Sequence, residues 1–266
     1  ERGFVRVLTV HNPLFFTFDG VDQRGLATSM AHRLEEHLAK EIGRVRSPTV
    51  VLIPVARDEL LSGIVEGRGD LAAANLTITP ERARLIDFTN PATRELSEIL
   101  ITGPSAPRVD IIEDLVGKDV YARRSSSYWA SIEALNERLT ADGFDPIQLR
   151  EISENLEDED LLEMVNAGML DWAVVDSYKA DIWTQVFENL VPRPDIVFRT
   201  GGQLGWAIRQ ESPQLMSALN DFLKSNRQGT LQGNVLINRN LRDFDWAANV
   251  LDTEDYNRFE GIYHLF

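Results

Sequence analysis

Short apolar runs alternate with longer amphipathic stretches along most of this chain, and that alternation predicts its elements one after another. Phe4 to Val10 is a β-branched run, broken by His11, Asn12 and Pro13, and reads as a first strand. Leu26, Met30, Leu34, Leu38 and Ile42 recur at four-residue steps, which predicts an amphipathic helix lying on a sheet. Thr49 to Ile53 reads as a second strand. Glu59 to Glu66 follows as a helix with Leu60, Leu61, Ile64 and Val65 inward. Leu71 to Ala74, small and apolar between Gly67, Gly69 and a polar turn, has the length and character of a covered parallel strand. Strand and helix therefore alternate in βαβ fashion, the signature of an α/β fold.

Leu96 to Thr102 predicts another strand, after which Gly103 to Pro107 interrupts every period and reads as a crossover between lobes. The logic then repeats. Val120 to Ala122 is a strand, Arg123 to Ser127 a turn, and Trp129, Ile132, Leu135 and Leu139 mark one face of a helix. Ile147 to Ile152 is a strand. The acidic run Glu154 to Asp160 reads as the solvated entry of a helix through Leu161, Leu162 and Val165, its charge complementing the helix dipole. Trp172 to Val175 is a short covered strand. Ile196 to Arg199 leads into a second crossover at Thr200 to Gly202, and Gln203 to Ile208 returns as a strand. Two crossovers predict a discontinuous first lobe, 1–102 with 202–266, around a second lobe, 103–201. Pro213 opens a helix with Leu215, Leu219, Phe222 and Leu223 inward, and Ser212 is placed to cap it. The tail from Asn240 reads as helical, acidic and aromatic. Its ending on Tyr263, Leu265 and Phe266 implies either docking on its own body or further protein beyond.

Composition narrows the function classes. The 266 residues, 43% of them hydrophobic, allow one large domain or two ordinary ones with a real core. A net charge of −15 repels phosphate backbones, which argues against a nucleic-acid partner. The absence of cysteine excludes disulfides, thiolate metal sites and cysteine nucleophiles. No apolar run reaches the roughly 18 residues of a transmembrane segment. The chain starts at Glu1 with neither methionine nor signal peptide, as expected of a mature or trimmed product. His32 and His37, about 140° apart around a helix, do not share a metal and are expected on the surface. No nucleophile elbow, phosphate-binding P-loop or zincin pattern occurs, and Gly67 to Gly69 is too short for a dinucleotide fingerprint. No cofactor, metal or catalytic residue is assigned.

The candidate chemistry gathers at strand ends. Asn75 and Thr77 follow the strand at Leu71, Thr79 is positioned as an N-cap and Pro80 as the first helical residue. Arg82 then falls in the first turn, where a cation opposes the dipole at a cost of about 0.3–1 kcal/mol. An anion held by its guanidinium, the Thr77 hydroxyl and free N–H groups compensates that cost; so does a structural pair with Asp87 or Glu81. Ser125, Ser126 and Ser127 stand at another helix N-terminus, where capping uses one hydroxyl and leaves Ser126 or Ser127 for a ligand. Of the two acids flanking Trp172 to Val175, Asp176 lies at the carboxyl end, where open α/β sheets bind ligands, and Asp171 at the other. Asp176 is thus the candidate ammonium partner as well as a cap for the helix from Ser177. Phe15, Phe16 and Phe18 either line a ligand's apolar flank or pack beneath their loop.

The run GRGDLAAANLTITPERARLIDFTNP, Gly67 to Pro91, resembles the signature of family 3 extracellular solute-binding proteins, in which the Thr and Arg matching Thr77 and Arg82 hold a ligand's α-carboxylate. VYARRSSSYWASIEALN, EDEDLLEMVNAGMLDWAVVDSYKADIW and LGWAIRQESPQLMSALNDFLKSNRQGTLQGN are similar to one branch, the non-catalytic domain of membrane-bound lytic transglycosylases F. The resemblance implies a two-lobed, hinged periplasmic-binding-protein-like fold of class II that binds an amino acid or small peptide between its lobes. It further implies a periplasmic location, a C-terminal lysozyme-like domain absent from this chain, and outer-membrane association of the whole protein. Alternatives within the same architecture are a carrier serving an ABC permease and an arogenate or prephenate dehydratase.

Overall fold

A computed structural model describes residues 3–19, 21–42 and 48–241. Its first layer is a five-stranded sheet. Strand β1 (Phe4–Thr9) runs parallel between β4 (Thr49–Pro54) and β5 (Leu71–Thr77). Beyond β5 lie β12 (Leu204–Ile208) and then β6 (Asp87–Phe88), both pairings antiparallel. A short hairpin, β2 (Thr17–Asp19) and β3 (Asp22–Arg24), stands apart.

Both faces of the large sheet are covered, which is why its central strands carry apolar side chains in succession. On one face α1 (Leu26–Ile42) contributes Leu34 and Leu38, packed with Leu219, Phe222 and Leu223 of α7 (Pro213–Asn226). On the other, Leu60 and Ile64 of α2 (Glu59–Val65) meet Leu8, Ala72 and Ile86. Between β5 and β6 sits the single turn α3 (Pro80–Ala83).

The second layer is a sheet in which β7 (Leu96–Thr102) lies between β10 (Trp172–Asp176) and β11 (Val191–Gly202), antiparallel to both. Beside it β8 (Asp119–Ala122) and β9 (Gln148–Glu151) form a parallel pair. Helices α4 (Ser127–Ala141), α5 (Asp158–Asn166) and α6 (Ser177–Trp183) follow β8, β9 and β10 in turn and bury the two faces. The fold is α/β, as the alternation predicts. The chain passes between the sheets at 89–95 and again at Gln203, because β7 pairs with β10 and β11; Gly103 to Pro107 follows β7 as a loop within the second layer.

Other local expectations are corrected. Val65 is exposed, and Ser212 forms no capping bond. His37 packs edge-on against Phe222 rather than pointing to solvent. Helix α8 (Leu231–Leu241) has no counterpart in the sequence reading, since Gly233 interrupts its stripe and Leu231 and Val235 are exposed. The apolar ending at Tyr263, Leu265 and Phe266 lies outside the described residues. Among the described residues no helix is long and apolar enough to cross a membrane.

Candidate functional site

Thr79 caps α3 by accepting the Arg82 N–H at 3.3 Å, and Pro80 occupies the first helical position. This fixes the Arg82 side chain at the carboxyl end of β5. Its guanidinium donates to the Thr77 carbonyl at 2.8 Å and to the Ser125 carbonyl at 2.7 Å, so it joins the two layers. Neither Glu81 nor Asp87 forms an ion pair with it, and no other carboxylate does among the described residues. Burial, and secondarily the Arg57 cation, lower its pKa to about 10. A partly buried cation bonded only to carbonyls is set up to accept an anion.

The Thr77 hydroxyl meets the Ser127 hydroxyl at 3.2 Å across the same gap. Ser126 is used locally: its hydroxyl donates to the Arg123 carbonyl at 2.7 Å and accepts the Trp129 N–H at 3.2 Å, capping α4. Asn75 adopts φ 51°, a left-handed conformation that Asn tolerates, and its amide donates to the Tyr178 hydroxyl at 3.0 Å. Asp176 closes β10 at the N-cap position of α6, yet its carboxylate makes no capping bond. The residue is 5% exposed. Burial raises its pKa to about 7, with Glu98 and Asp158 pushing the same way against Lys179.

Arg82, Thr77, Asn75, Ser126, Ser127 and Asp176 all line one cavity of about 30 Å³ between the layers. Phe15 and Phe16 do not. Phe16 is fully buried and packs edge-on with Phe18 at 5.2 Å, which makes it a packing residue. Phe15 borders a separate apolar cavity of about 70 Å³ with Leu26, Met30, Trp206 and Ile237, touching the polar one only through Asn75.

The acidic run read as solvated is instead the most buried charge network of the site. Glu157 pairs with Arg57 from the first layer, its Oε1 accepting from the guanidinium at 2.9 Å. Asp158 accepts from Arg123, from Lys179 at 2.6 Å and from the Tyr128 hydroxyl at 3.1 Å. Glu159 accepts from Asn12 of the first layer at 2.7 Å. Burial opposes the Asp158 charge, but Arg123 and Lys179 override it and hold the carboxyl far below its usual range. The available signal was positional: Arg57, Arg123 and Lys179 each follow a strand's carboxyl end.

Chemically, Arg57, Arg123, Lys179 and Asp158 on the cavity wall are engaged in ion pairs, which leaves the Arg82 guanidinium with nearby hydroxyls and the Asp176 carboxyl as the lining charges outside them, a set that suits a zwitterion. Among the described residues no cluster of three His, Asp or Glu is placed to hold a metal. The raised Asp176 pKa has a consequence for stability. Its folded carboxyl keeps its proton to about pH 7 while the unfolded one loses it near 3.8, so this contribution is fullest below 3.8 and is lost as pH rises through 7. Thermal melts between pH 5 and 8 are expected to show a decline in the wild type that flattens in Asp176→Asn; parallel profiles would remove Asp176 as its source.

Residues 18–234 match the family described as bacterial extracellular solute-binding proteins, family 3. Among curated relatives, the membrane-bound lytic murein transglycosylase F of Ectopseudomonas mendocina (strain ymp) is 30% identical over 237 residues, covering 87% of this chain and 45% of that protein. The chain thus spans about half the length of the curated relatives it matches. Solved structures share the fold. An ancestral arginine-binding protein bound to arginine superposes with a TM-score of 0.69 at 20% identity, covering 90% of this chain and 98% of that one. A putative ABC-transporter binding component from Wolinella succinogenes DSM 1740, complexed with lysine, gives 0.70 at 22%, with 93% and 99% covered.

Proposed function

The chain belongs to family 3 of the bacterial extracellular solute-binding proteins, and from that premise we propose that it is a non-catalytic sensing domain for an amino acid or small cell-wall peptide, working within a periplasmic lytic transglycosylase. The observation that carries this reading is the pairing of Arg82, a cation without a carboxylate partner among the described residues, with Asp176, a buried carboxyl that caps nothing, on one cavity. Arg82 with Thr77 takes the ligand's carboxylate, Asp176 its ammonium, and Ser127 and Asn75 the groups between. Ser126 acts through its backbone and the cap. The lobe division 1–102 with 202–266 against 103–201 puts Arg82 and Asp176 on opposite lobes, and moving the first boundary back to 89–95 keeps them there.

A cavity of about 30 Å³ holds one or two waters, not an amino acid. Ligand entry therefore exchanges the cross-layer bonds Arg82 to Ser125 and Thr77 to Ser127 for bonds to the ligand. A ligand that engages both lobes favours the closed form by its differential affinity for it, which is what a sensor needs. Calorimetry with L-glutamine, L-arginine, L-lysine and a peptidoglycan stem tetrapeptide tests the reading, which expects saturable binding of at least one; no binding by any would overturn it.

A second reading, an amino-acid carrier, is favoured by the lysine-bound transporter component of the same fold. The two differ in what the ligand governs. For the sensor, this chain alone releases no muropeptides from peptidoglycan, and the full-length protein releases them at a rate the ligand changes. Release that ignores the ligand would favour the carrier.

A further inference from the structure

Glu98 lies at 2% exposure in β7, and neither of its carboxylate oxygens has a hydrogen-bond partner among the described residues. Burying a carboxylate with no donor is costly, and such groups are rare in native proteins. The register explains where this one sits. Glu98 is directly opposite Asp176 on β10, and Leu100 is opposite Val174, so all four side chains share the face covered by α4. Directly opposed residues of antiparallel strands hold their Cβ atoms about 4.5–5.5 Å apart. Two acids are thus side by side in a buried sheet, an arrangement that is destabilising unless a cation or a proton stands between them.

We propose that Glu98 is the second carboxylate of the cation subsite, and that Asp176 and Glu98 together hold the primary ammonium of the ligand. The inference rests on the zwitterion reading above and deepens it. A primary ammonium has three N–H donors, enough for one bond to each acid, whereas a trimethylated nitrogen has none. Before the ligand arrives, the raised pKa of Asp176 lets its own carboxyl keep a proton near neutral pH. The ammonium displaces that proton from Asp176. The surrounding charges are compatible with this exchange. Arg82 from α3 and Arg199, opposite Glu98 on β11, add positive potential; Tyr128 from α4 faces both acids; Asp158 and Lys179 beside Asp176 are already bonded to each other. The rise in the Asp176 pKa, which burial leads and to which Glu98 adds, agrees with a proton held on Asp176 until a cation takes its place.

Calorimetry of the same four ligands at pH 6.5, in two buffers of different ionisation enthalpy, measures both affinity and proton release. For the wild type, binding is expected to release close to one proton per ligand, and the N,N,N-trimethyl derivative of the bound amino acid is expected not to compete. Glu98→Gln should bind at least about tenfold more weakly and release less proton than the wild type, while melting at or above the wild-type temperature because a buried carboxyl without a hydrogen-bond partner among the described residues is gone. If Glu98→Gln fails to fold, Glu98→Asp decides: retained affinity and proton release support the two-carboxylate subsite, and their loss overturns it. Unchanged affinity and proton release in a folded Glu98→Gln would overturn this inference alone. Failure of the wild type to bind any of the four ligands would overturn the zwitterion reading and this inference with it.

Discussion

Arg82→Ala is expected to reduce the affinity for any α-carboxylate ligand by about a hundredfold or more while leaving the fold intact. Truncating one partner of a buried charged pair typically costs about 2–5 kcal/mol, which brackets that loss. The fold survives because Arg82 bonds only to two carbonyls, of Thr77 and Ser125, and removing a half-buried cation with a lowered pKa relieves desolvation as those bonds go. Arg82→Lys is expected to fail nearly as badly, since a point charge cannot reproduce the two-pronged fork. Calorimetry gives the affinities and a thermal melt checks the fold; wild-type affinity in both variants would make Arg82 a tie between layers and nothing more.

The largest effect on stability is expected at Asp158. This carboxylate is the shared acceptor of Arg123, Lys179 and Tyr128, all three buried, and Asp158→Ala strands Arg123 and leaves Lys179 with only the longer pair to Glu159, at 3.7 Å. Breaking a buried ion pair from one side costs about 3–5 kcal/mol. For a chain this size that is a fall of roughly 10 °C in melting temperature. The sign with pH is the reverse of that for Asp176. The folded Asp158 carboxyl is held far below its unfolded value of 3.8, so its contribution is complete above that pH and is lost as acid takes the protein below it. An acid titration followed by circular dichroism should show this as a wild-type transition that Asp158→Ala blunts. A variant melting within a degree or two of wild type would mean that the network is not what holds α5 in place.

What the sequence revealed and what it hid follow one rule, the distance over which the deciding interaction acts. The positions of Arg82 and Asp176 at strand ends were legible because a strand emptying into a helix places its next residues in a known position, and four or five residues suffice to recognise one. The buried role of Glu157 to Glu159 was hidden because their partners are far away in the chain: Arg57 is 100 residues from Glu157, and Asn12 is 147 from Glu159. Three acids at a helix start satisfy a local rule, and the local rule predicted water. Glu98 was hidden in another way: period two along Leu96 to Ile101 does not say which face of a strand is covered, and only the pairing with β10 sets it against Asp176. The first passage between layers misled for a local reason as well. Gly103 to Pro107 has the composition of a linker, but the strand before it is held between β10 and β11. Phe16 was equally ambiguous, since an aromatic in a loop reads the same whether it packs beneath the loop or faces a ligand.

The central claim is that one ligand is gripped at both ends, its carboxylate by Arg82 and its ammonium by Asp176 across the cavity between the layers. A single calorimetric matrix tests it most directly. The tightest amino acid, its deaminated acid and its decarboxylated amine are each titrated into wild type, Arg82→Ala and Asp176→Asn. Only the intact amino acid with the wild type should bind tightly. Arg82→Ala should treat the amino acid no better than the amine, and Asp176→Asn should treat it no better than the acid. If the acid or the amine alone binds the wild type as tightly as the amino acid, or if either variant retains full affinity, the two-ended grip is contradicted.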